Sequence, residues 1–247
     1  VARRPAPAAD GAAATLGRKA VAEGVGTALL VAVVVGSGIF AQRLSPGDEG
    51  LQLLENSLAT AGGLVALILA FGAVSGAHFN PVVTLADRWF GGTTTREALA
   101  VVPAQVLGAC LGAIVANLMF DLDAVTLASR ERSGGGLILG EVVATFGLVT
   151  VIVGVVRSGR TTAAPFAVAG YIAAAYWFTS STSFANPAVT VGRTLSDTFA
   201  GIEPASAPGF VLAQLVGGAL AVALTRYLFP HQPTPDLIVP HEHAEAT

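Results

Sequence analysis

The chain has 247 residues, of which 53% are hydrophobic and 12% are charged, and its formal net charge at pH 7 is -3. Soluble domains carry about 25% charged residues, so this composition and a mean hydropathy of +0.69 exclude an ordinary soluble enzyme and indicate a membrane protein. The small negative charge offers no basic face, which excludes nucleic acid as a partner. We expect a lipid bilayer as surroundings, one domain, no cofactor and no metal site.

The two ends of the chain differ in composition from the stretch between them. Residues 1–18 are rich in alanine and proline and lack the continuous apolar core of a signal peptide, so we predict a disordered cytoplasmic tail. Residues 230–247 contain His231, His241 and His243, and we predict a flexible tail there, with metal binding as the alternative. The intervening residues 19–229 are predicted to form the membrane domain.

Six segments between the tails are long and apolar enough to cross a bilayer, which takes about 20 residues. They are 20–41, 51–74, 98–120, 137–156, 162–180 and 209–229. Two further stretches, 82–90 and 188–199, have helical patterns but are too short to span. Each follows an Asn-Pro pair, and because Asn is a good N-cap and Pro suits the first helical position, both stretches are predicted to be re-entrant half-helices.

Six spans leave both ends of the chain on one side of the membrane. That side carries nine Lys and Arg residues: Arg3, Arg4, Arg18, Lys19, Arg88, Arg96, Arg157, Arg160 and Arg226. The other side carries four: Arg43, Arg130, Arg132 and Arg193. Because positive residues concentrate on the cytoplasmic side, we predict a multi-pass protein of the inner (plasma) membrane with both termini cytoplasmic.

The second half of the chain repeats the pattern of the first half. The segment FNPVVT at 79–84 matches ANPAVT at 185–190 with an offset of 106 residues, AEGVGT at 22–27 matches GEVVAT at 140–145, and AQVLG at 104–108 matches AQLVG at 213–217. The repeats, 19–120 and 136–229, each hold three spans and one half-helix. Three spans per repeat turn the second copy upside down, which predicts a special site at the middle of the membrane.

The segment SGAHFNPVVT at 75–84 resembles the first signature of the aquaporin and aquaglyceroporin family, and FANPA at 184–188 resembles the second. The resemblance covers residues 19–229. It implies an all-α membrane protein with six transmembrane helices, two re-entrant half-helices and an inverted internal repeat. It also implies a channel rather than an enzyme, assembled as a homotetramer with one pore in each subunit.

The resemblance assigns the pore motifs to six residues: Asn80, Pro81, Val82, Asn186, Pro187 and Ala188. Non-helical backbone at membrane depth must line a water-filled cavity or pack in protein, so the backbone of the loop residues Gly76, Ala77, His78 and Phe184 is predicted to line the pore, with its carbonyls as acceptors. The positive ends of both half-helices would oppose cations and protons at mid-membrane. Each Asn can cap its helix through the side-chain oxygen and still donate to a solute through the nitrogen.

Two carboxylates, Glu23 and Glu141, occupy repeat-related positions inside predicted spans. Intramembrane carboxylates are usually functional, and a proton relay is one interpretation. The resemblance favours another, in which each glutamate accepts hydrogen bonds from the neighbouring re-entrant loop. Gln105 and Gln214 are expected to be interior hydrogen-bonding groups of the same kind, and Cys110 a small packing residue rather than a redox group.

In most of the family an arginine directly follows the second Asn-Pro-Ala and belongs to the narrow selectivity filter, whereas this chain has Val189. Spacing from each Asn assigns the other filter positions to Thr60, Ala174 and Ser183. These four are uncharged and none is aromatic, so the resemblance implies a wider filter than that of a water channel. Arg193, one helical turn further on, could attract anions at the outer mouth or pair with Asp197.

Valine in place of the arginine, together with small filter residues, resembles a bacterial aquaglyceroporin subgroup associated with arsenic resistance. This resemblance implies arsenite or methylated or pentavalent arsenicals as solutes. A general facilitator of water and glycerol shares every motif and is the alternative. A secondary transporter is a third possibility, because inverted repeats with broken helices also occur in transporters.

Overall fold

The computed structural model describes residues 14–230, so most of both predicted tails, including the three C-terminal histidines, lies outside the described residues. The first helix, α1, spans Leu16–Leu44 and therefore begins inside the stretch 1–18 that we predicted to be disordered. The side chain of Thr15 explains this start, because it accepts a hydrogen bond from the amide of Arg18 and caps the helix.

Residues 14–230 form eight α-helices and one short 3₁₀ turn, and no strand occurs among them. After α1 come α2 (Glu49–Ser75), α3 (Pro81–Phe90), α4 (Thr95–Met119), α5 (Gly135–Arg157), α6 (Ala164–Phe178), α7 (Pro187–Arg193) and α8 (Ala207–Leu228). Five of them, α1, α2, α4, α5 and α8, are long and apolar enough to cross a membrane. The sixth predicted span is the shorter α6, which the 3₁₀ turn Thr161–Ala163 precedes. The fold is therefore that of an all-α membrane protein.

The two half-helices α3 and α7 begin at the proline of each Asn-Pro pair, as predicted, but they differ in length. Helix α7 ends at Arg193, so the prediction of helix up to residue 199 is wrong. The side chain of Asn117, from α4, donates to the carbonyl of Leu195 and accepts from the hydroxyl of Ser196. These contacts hold the chain in a turn where the helix would otherwise continue.

The long helices pack in repeat-related pairs, α1 against α4 and α5 against α8. Glycines allow the closest approach in each pair. A Cβ atom at Gly108 would collide with the carbonyl of Gly24, and one at the repeat-related Gly217 would collide with the carbonyl of Val142. Small residues at such crossings are typical of membrane helices, whose association depends on close backbone packing.

Large apolar side chains cover the outer faces of the long helices. Leu99 is 72% exposed, Leu107 66%, Leu212 64% and Leu58 62%. A soluble surface does not carry so many, so this exterior fits contact with lipid. The interior contains the buried polar groups that build the site.

Candidate channel

Each re-entrant loop reaches its half-helix through the same unusual backbone. The left-handed region is occupied by Gly76 (φ 85), Ala77 (φ 51) and Phe79 (φ 48) in the first loop and by Thr182 (φ 61), Ser183 (φ 55) and Ala185 (φ 48) in the second. Non-glycine residues in such conformations are strained by about 1–3 kcal/mol each and persist only where surrounding contacts hold them. Because the three positions recur at the 106-residue offset, both loops share one conformation.

The carboxylate of Glu23 in α1 supplies contacts of this kind to the first loop. It is fully buried and accepts hydrogen bonds from the amides of His78 (2.8 Å) and Phe79 (2.7 Å). The hydroxyl of Ser75 (2.7 Å) and the side-chain amide of Gln105 (2.8 Å) also donate to it. Four donors converge on one carboxylate, which satisfies its charge inside the membrane domain.

Glu141 in α5 repeats this arrangement for the second loop. Its buried carboxylate accepts from the amides of Phe184 and Ala185, both at 2.9 Å, and from Gln214 Nε2 at 2.6 Å. The same Gln214 nitrogen lies 2.9 Å from the hydroxyl of Thr190. Both glutamates therefore contact the loop backbone in the way that the resemblance implies.

The two asparagines of the Asn-Pro pairs link the half-helices across the middle of the molecule. Asn80 Nδ2 donates to the carbonyl of Ala185 at 2.8 Å, and Asn186 Nδ2 donates to the carbonyl of Phe79 at 2.7 Å. Each side-chain oxygen caps its own half-helix, as in the 3.0 Å bond that Asn80 Oδ1 accepts from the amide of Val82. Each amide nitrogen carries a second hydrogen, which remains available to a permeating molecule.

A narrow cavity of about 60 Å³ passes both asparagines. Its lining includes Asn80, Asn186, Ala77, His78 and Phe184. The other predicted motif and loop residues are buried outside this lining: Gly76, Pro81, Val82, Pro187 and Ala188.

Three of the four predicted filter residues, Thr60, Ser183 and Val189, line this cavity, but Ala174 does not. Ala174 lies on the exposed face of α6, and the lining residue from that helix is the buried Tyr176, whose hydroxyl is 3.1 Å from Thr60 Oγ1. Two residues along an α-helix correspond to a rotation of about 200°. Assigning Ala174 instead of Tyr176 therefore turned the wrong face of α6 toward the cavity. The cavity lining therefore includes an aromatic side chain that the four predicted filter residues lack.

Arg193 also lines the cavity, one turn beyond Val189, and it makes no ion pair with Asp197 within the described part of the chain. Asp197 instead accepts from the amide and hydroxyl of Ser129, both at 2.9 Å. Arg193 Nε donates to the carbonyl of Ala200, and its guanidinium carbon lies 3.4 Å from the centroid of the Phe184 ring. The interpretation as a salt bridge to Asp197 is therefore wrong.

Arg132 is a functional candidate that the sequence did not single out. It lies in the loop between α4 and α5, where no periodic pattern points to the site. Its Nε donates to the carbonyl of Gly201 at 2.9 Å, and its guanidinium carbon is 5.0 Å from the Phe184 ring centroid. Burial lowers the pKa of Arg132 to about 9, and the positive charges of Arg193 and Arg130 act in the same direction.

Arg132 and Arg193 border a second cavity, which we name the distal vestibule because it lies on the side opposite the described ends of the chain. Its volume is about 240 Å³. It is lined by Glu49, Gly50, Leu53, Asn56, Arg130, Arg132, Thr182, Arg193 and Phe199. Arg193 lines both this vestibule and the narrow cavity, so the two spaces meet at its side chain.

Long apolar helices around a narrow cavity, with two half-helices and their asparagines meeting at its middle, define a multi-pass membrane channel. The family model described as "Major intrinsic protein" matches residues 12–183, more than half of the chain. The chain belongs to this family, and it is a channel and not an enzyme.

Two relatives and one solved structure illustrate the similarity. The chain is 50% identical to aquaglyceroporin AqpS of Rhizobium meliloti (strain 1021) over 213 residues, 86% of this chain and 91% of the relative. It is 30% identical to aquaporin AqpM of Methanothermobacter marburgensis, with coverage of 87% and 98%. The X-ray structure of the aquaglyceroporin from Plasmodium falciparum has the same fold, with a TM-score of 0.64, 19% identity and coverage of 87% and 98%.

Proposed function

We propose that this channel conducts small uncharged polar solutes and that arsenite, or methylated or pentavalent arsenicals, are among them. The observation that carries the proposal is Val189, an uncharged residue at the cavity wall directly after the second Asn-Pro-Ala. A valine leaves more room than an arginine and holds no charge. The filter formed by Thr60, Tyr176, Ser183 and Val189 is then selective by size and hydrogen bonding.

The polar groups of the cavity suit a molecule with several hydroxyls. The buried hydroxyl of Ser183 has no hydrogen-bond partner among the described residues, so a solute can supply one. The free hydrogens of Asn80 and Asn186 add two donors at the middle of the path. Undissociated arsenite is a compact neutral molecule with three hydroxyls and can use these groups as glycerol would. A pentavalent arsenical belongs to these uncharged solutes only in its protonated form, and its anion would first meet Arg193.

A general facilitator of glycerol and water is the alternative function. The name aquaglyceroporin, given to the 50% identical relative, favours it. Both functions need the same motifs and the same loops, and they differ only in the solutes that the filter admits. Direct permeability measurements separate them.

The proposal also includes the orientation of the channel in the membrane and its assembly into an oligomer. Nine of the thirteen Lys and Arg residues lie on the side of the chain ends under the six-span topology, which supports cytoplasmic termini in an inner (plasma) membrane. The resemblance to the aquaporin and aquaglyceroporin family supports a homotetramer with one channel in each subunit, and the exposed apolar side chains of the long helices fit contact with lipid or with neighbouring subunits. Cross-linking in native membranes tests the subunit number.

The deciding experiment is stopped-flow permeability of proteoliposomes to water, glycerol, arsenite and methylarsenate, with Val189→Arg beside the native protein. We expect the native channel to pass glycerol and arsenite above the rate of empty liposomes. The Val189→Arg variant should reduce both by about tenfold or more, because a long cationic side chain fills the filter. Val189→Ala is the matched control. It keeps the side chain at position 189 small and uncharged, so this variant should retain the flux of the native channel.

Arsenite flux equal to that of empty liposomes, with glycerol flux intact, would leave only the alternative function. Equal glycerol and arsenite flux in the native protein and Val189→Arg would show that position 189 is not part of the filter. Saturable flux with a steep temperature dependence would instead indicate a transporter.

A further inference from the structure

Three guanidinium groups surround the distal vestibule without a matching set of carboxylates. Within residues 14–230, no carboxylate oxygen comes within 4.0 Å of a nitrogen of Arg130, Arg132 or Arg193. Glu49 is the only carboxylate in the lining, and it is exposed in the first turn of α2. The vestibule therefore carries an excess of positive charge.

Two of these arginines are buried, which makes the excess unusual. Arg193 is 3% exposed and Arg132 is 8% exposed. A buried charge normally has an ionic partner, since desolvation without one is unfavourable. Arg193 uses Nε for the carbonyl of Ala200, and its terminal nitrogens have no acceptor among the described residues. The same arginine lines both the vestibule and the narrow cavity.

The two guanidinium groups are held in position by the surrounding structure. Both contact the ring of Phe184, which packs edge-on against Phe210 with the ring centroids 5.2 Å apart. Arg132 Nε is anchored on the carbonyl of Gly201, and the backbone amide of Arg132 donates to the hydroxyl of Ser206. A preorganised pair of cations loses little side-chain freedom when a ligand binds.

The loop that carries Arg132 is itself tied to the turn after α7. The amide of Ala128 donates to the carbonyl of Thr194 at 2.9 Å, and the amide of Glu203 donates to the carbonyl of Arg130 at 2.8 Å. These bonds fix residues 128–132 beside residues 194–203. The clustering of the arginines is thus built into the backbone and does not depend on flexible side chains alone.

We propose that the distal vestibule binds a small oxyanion between Arg132 and Arg193, and that the bound oxyanion competes with neutral solutes for entry to the channel. Guanidinium groups present planar pairs of donors that match two oxygens of one anion. Competition follows from Arg193, which lines both spaces, so an anion on it occupies the entry path. The competition rests on the proposed channel function, whereas the binding does not.

A phosphate oxyanion can come from a free ion or from a lipid headgroup, and the two sources share the same chemistry. We favour the free ion because the site opens on the channel entry rather than on the apolar outer face. The test therefore uses inorganic phosphate as one ligand and short-chain phosphatidylglycerol as the other, each against chloride at equal ionic strength.

The first measurement is the melting temperature of the detergent-purified protein as a function of phosphate concentration, because a ligand that binds the folded state raises it. We expect phosphate to stabilise the native protein more than chloride does. In Arg132→Gln and Arg193→Gln the apparent dissociation constant should rise roughly tenfold, the factor associated with losing a hydrogen bond to a charged group.

Arg43→Gln is the matched control. Arg43 also donates to a carbonyl, that of Phe120, and lies 5.0 Å from the Phe120 ring centroid, but it is outside the vestibule lining. Its removal should leave phosphate binding unchanged. Equal stabilisation of all variants, or stabilisation by the lipid alone, would overturn the free-oxyanion site.

Glu49→Gln keeps the proposal testable if the buried-arginine variants do not fold. Glu49 is exposed, so the variant should fold, and removing its negative charge should tighten phosphate binding by about twofold to fivefold. An unchanged or weaker affinity would contradict the site.

The second measurement is glycerol permeability of proteoliposomes with phosphate or chloride outside and inside. Phosphate should reduce the flux of the native channel and of Arg43→Gln over the concentration range that raises the melting temperature. Binding without any loss of flux would overturn the competition. If no solute permeates at all, the proposed function fails while the melting experiment still decides the binding site.

Discussion

The two half-helices share one backbone design but carry side chains of opposite charge at one pair of repeat-related positions. Asp87 in α3 and Arg193 in α7 are separated by the same 106 residues as the two Asn-Pro pairs, and so are His78 and Phe184. In the first half, Asp87 Oδ2 lies 3.7 Å from His78 Nε2. In the second half, Arg193 stacks on Phe184 instead. The repeat therefore keeps the loop geometry and allows the chemistry of the two ends to diverge.

Exposure to the cavity sharpens this difference. Arg193 lines the narrow cavity, whereas Asp87 does not and accepts a hydrogen bond from the hydroxyl of Thr93. A solute entering from the distal vestibule thus passes a fixed cation, while one entering from the other end passes the imidazole of His78. What the halves share should be structural, and what differs should affect selectivity.

The largest loss of stability is expected when either of the two repeat-related glutamates is neutralised. In Glu23→Gln and Glu141→Gln the new amide group faces backbone N–H donors that the carboxylate had satisfied. Each unsatisfied buried donor destabilises the fold by about 1–3 kcal/mol, so folded yield and thermal stability should fall in both variants. Glu23→Gln should be the worse of the two, since Glu23 accepts four hydrogen bonds and Glu141 accepts three.

Size-exclusion yield and heat unfolding measure this effect, and Glu131→Gln, at an exposed loop position, is the control. Normal yield together with altered selectivity or proton flux would contradict the supporting role. A loss confined to one half would show that the two loops do not depend equally on their carboxylates.

A smaller loss of stability is expected when the glycines at the two repeat-related helix crossings are replaced. Gly108→Ala and Gly217→Ala each push a methyl group against a backbone carbonyl, which cannot move without separating the helices. Overpacking of this kind destabilises by about 1–3 kcal/mol. Heat unfolding of both variants beside Gly62→Ala checks it, because nothing lies within 4 Å of a Cβ atom at Gly62. Equal melting temperatures for all three would contradict the close crossing.

The smallest effect is expected on solute selectivity, when a residue of the proposed filter is changed. Tyr176→Ala removes the aromatic ring and its hydrogen bond to Thr60, so glycerol permeability relative to water should rise, by roughly tenfold at most. Ala174→Leu changes an exposed position two residues earlier and should leave the ratio unchanged. Stopped-flow measurements check both variants. A changed permeability ratio in Ala174→Leu with an unchanged ratio in Tyr176→Ala would show that Ala174 belongs to the filter instead.

The sequence by itself predicted the long apolar helices, both half-helices and the inverted repeat. These features depend on local signals: the length of apolar runs, an Asn cap followed by Pro, and matching segments in the two halves. Glu23, Glu141 and the two asparagines were found in the same way, because repeat-related polar residues stand out in apolar helices. Each of these lies where the repeat predicts it.

Only the tertiary structure decided the rotation of α6, the end of α7 and the position of Arg132. Helix α6 is apolar on all faces, so its sequence does not indicate whether Ala174 or Tyr176 points inward. The end of α7 depends on Asn117, far away in the chain. Arg132 reaches Phe184 across a loop without periodicity. Contacts between distant segments fix all three, and no local pattern in the sequence encodes them.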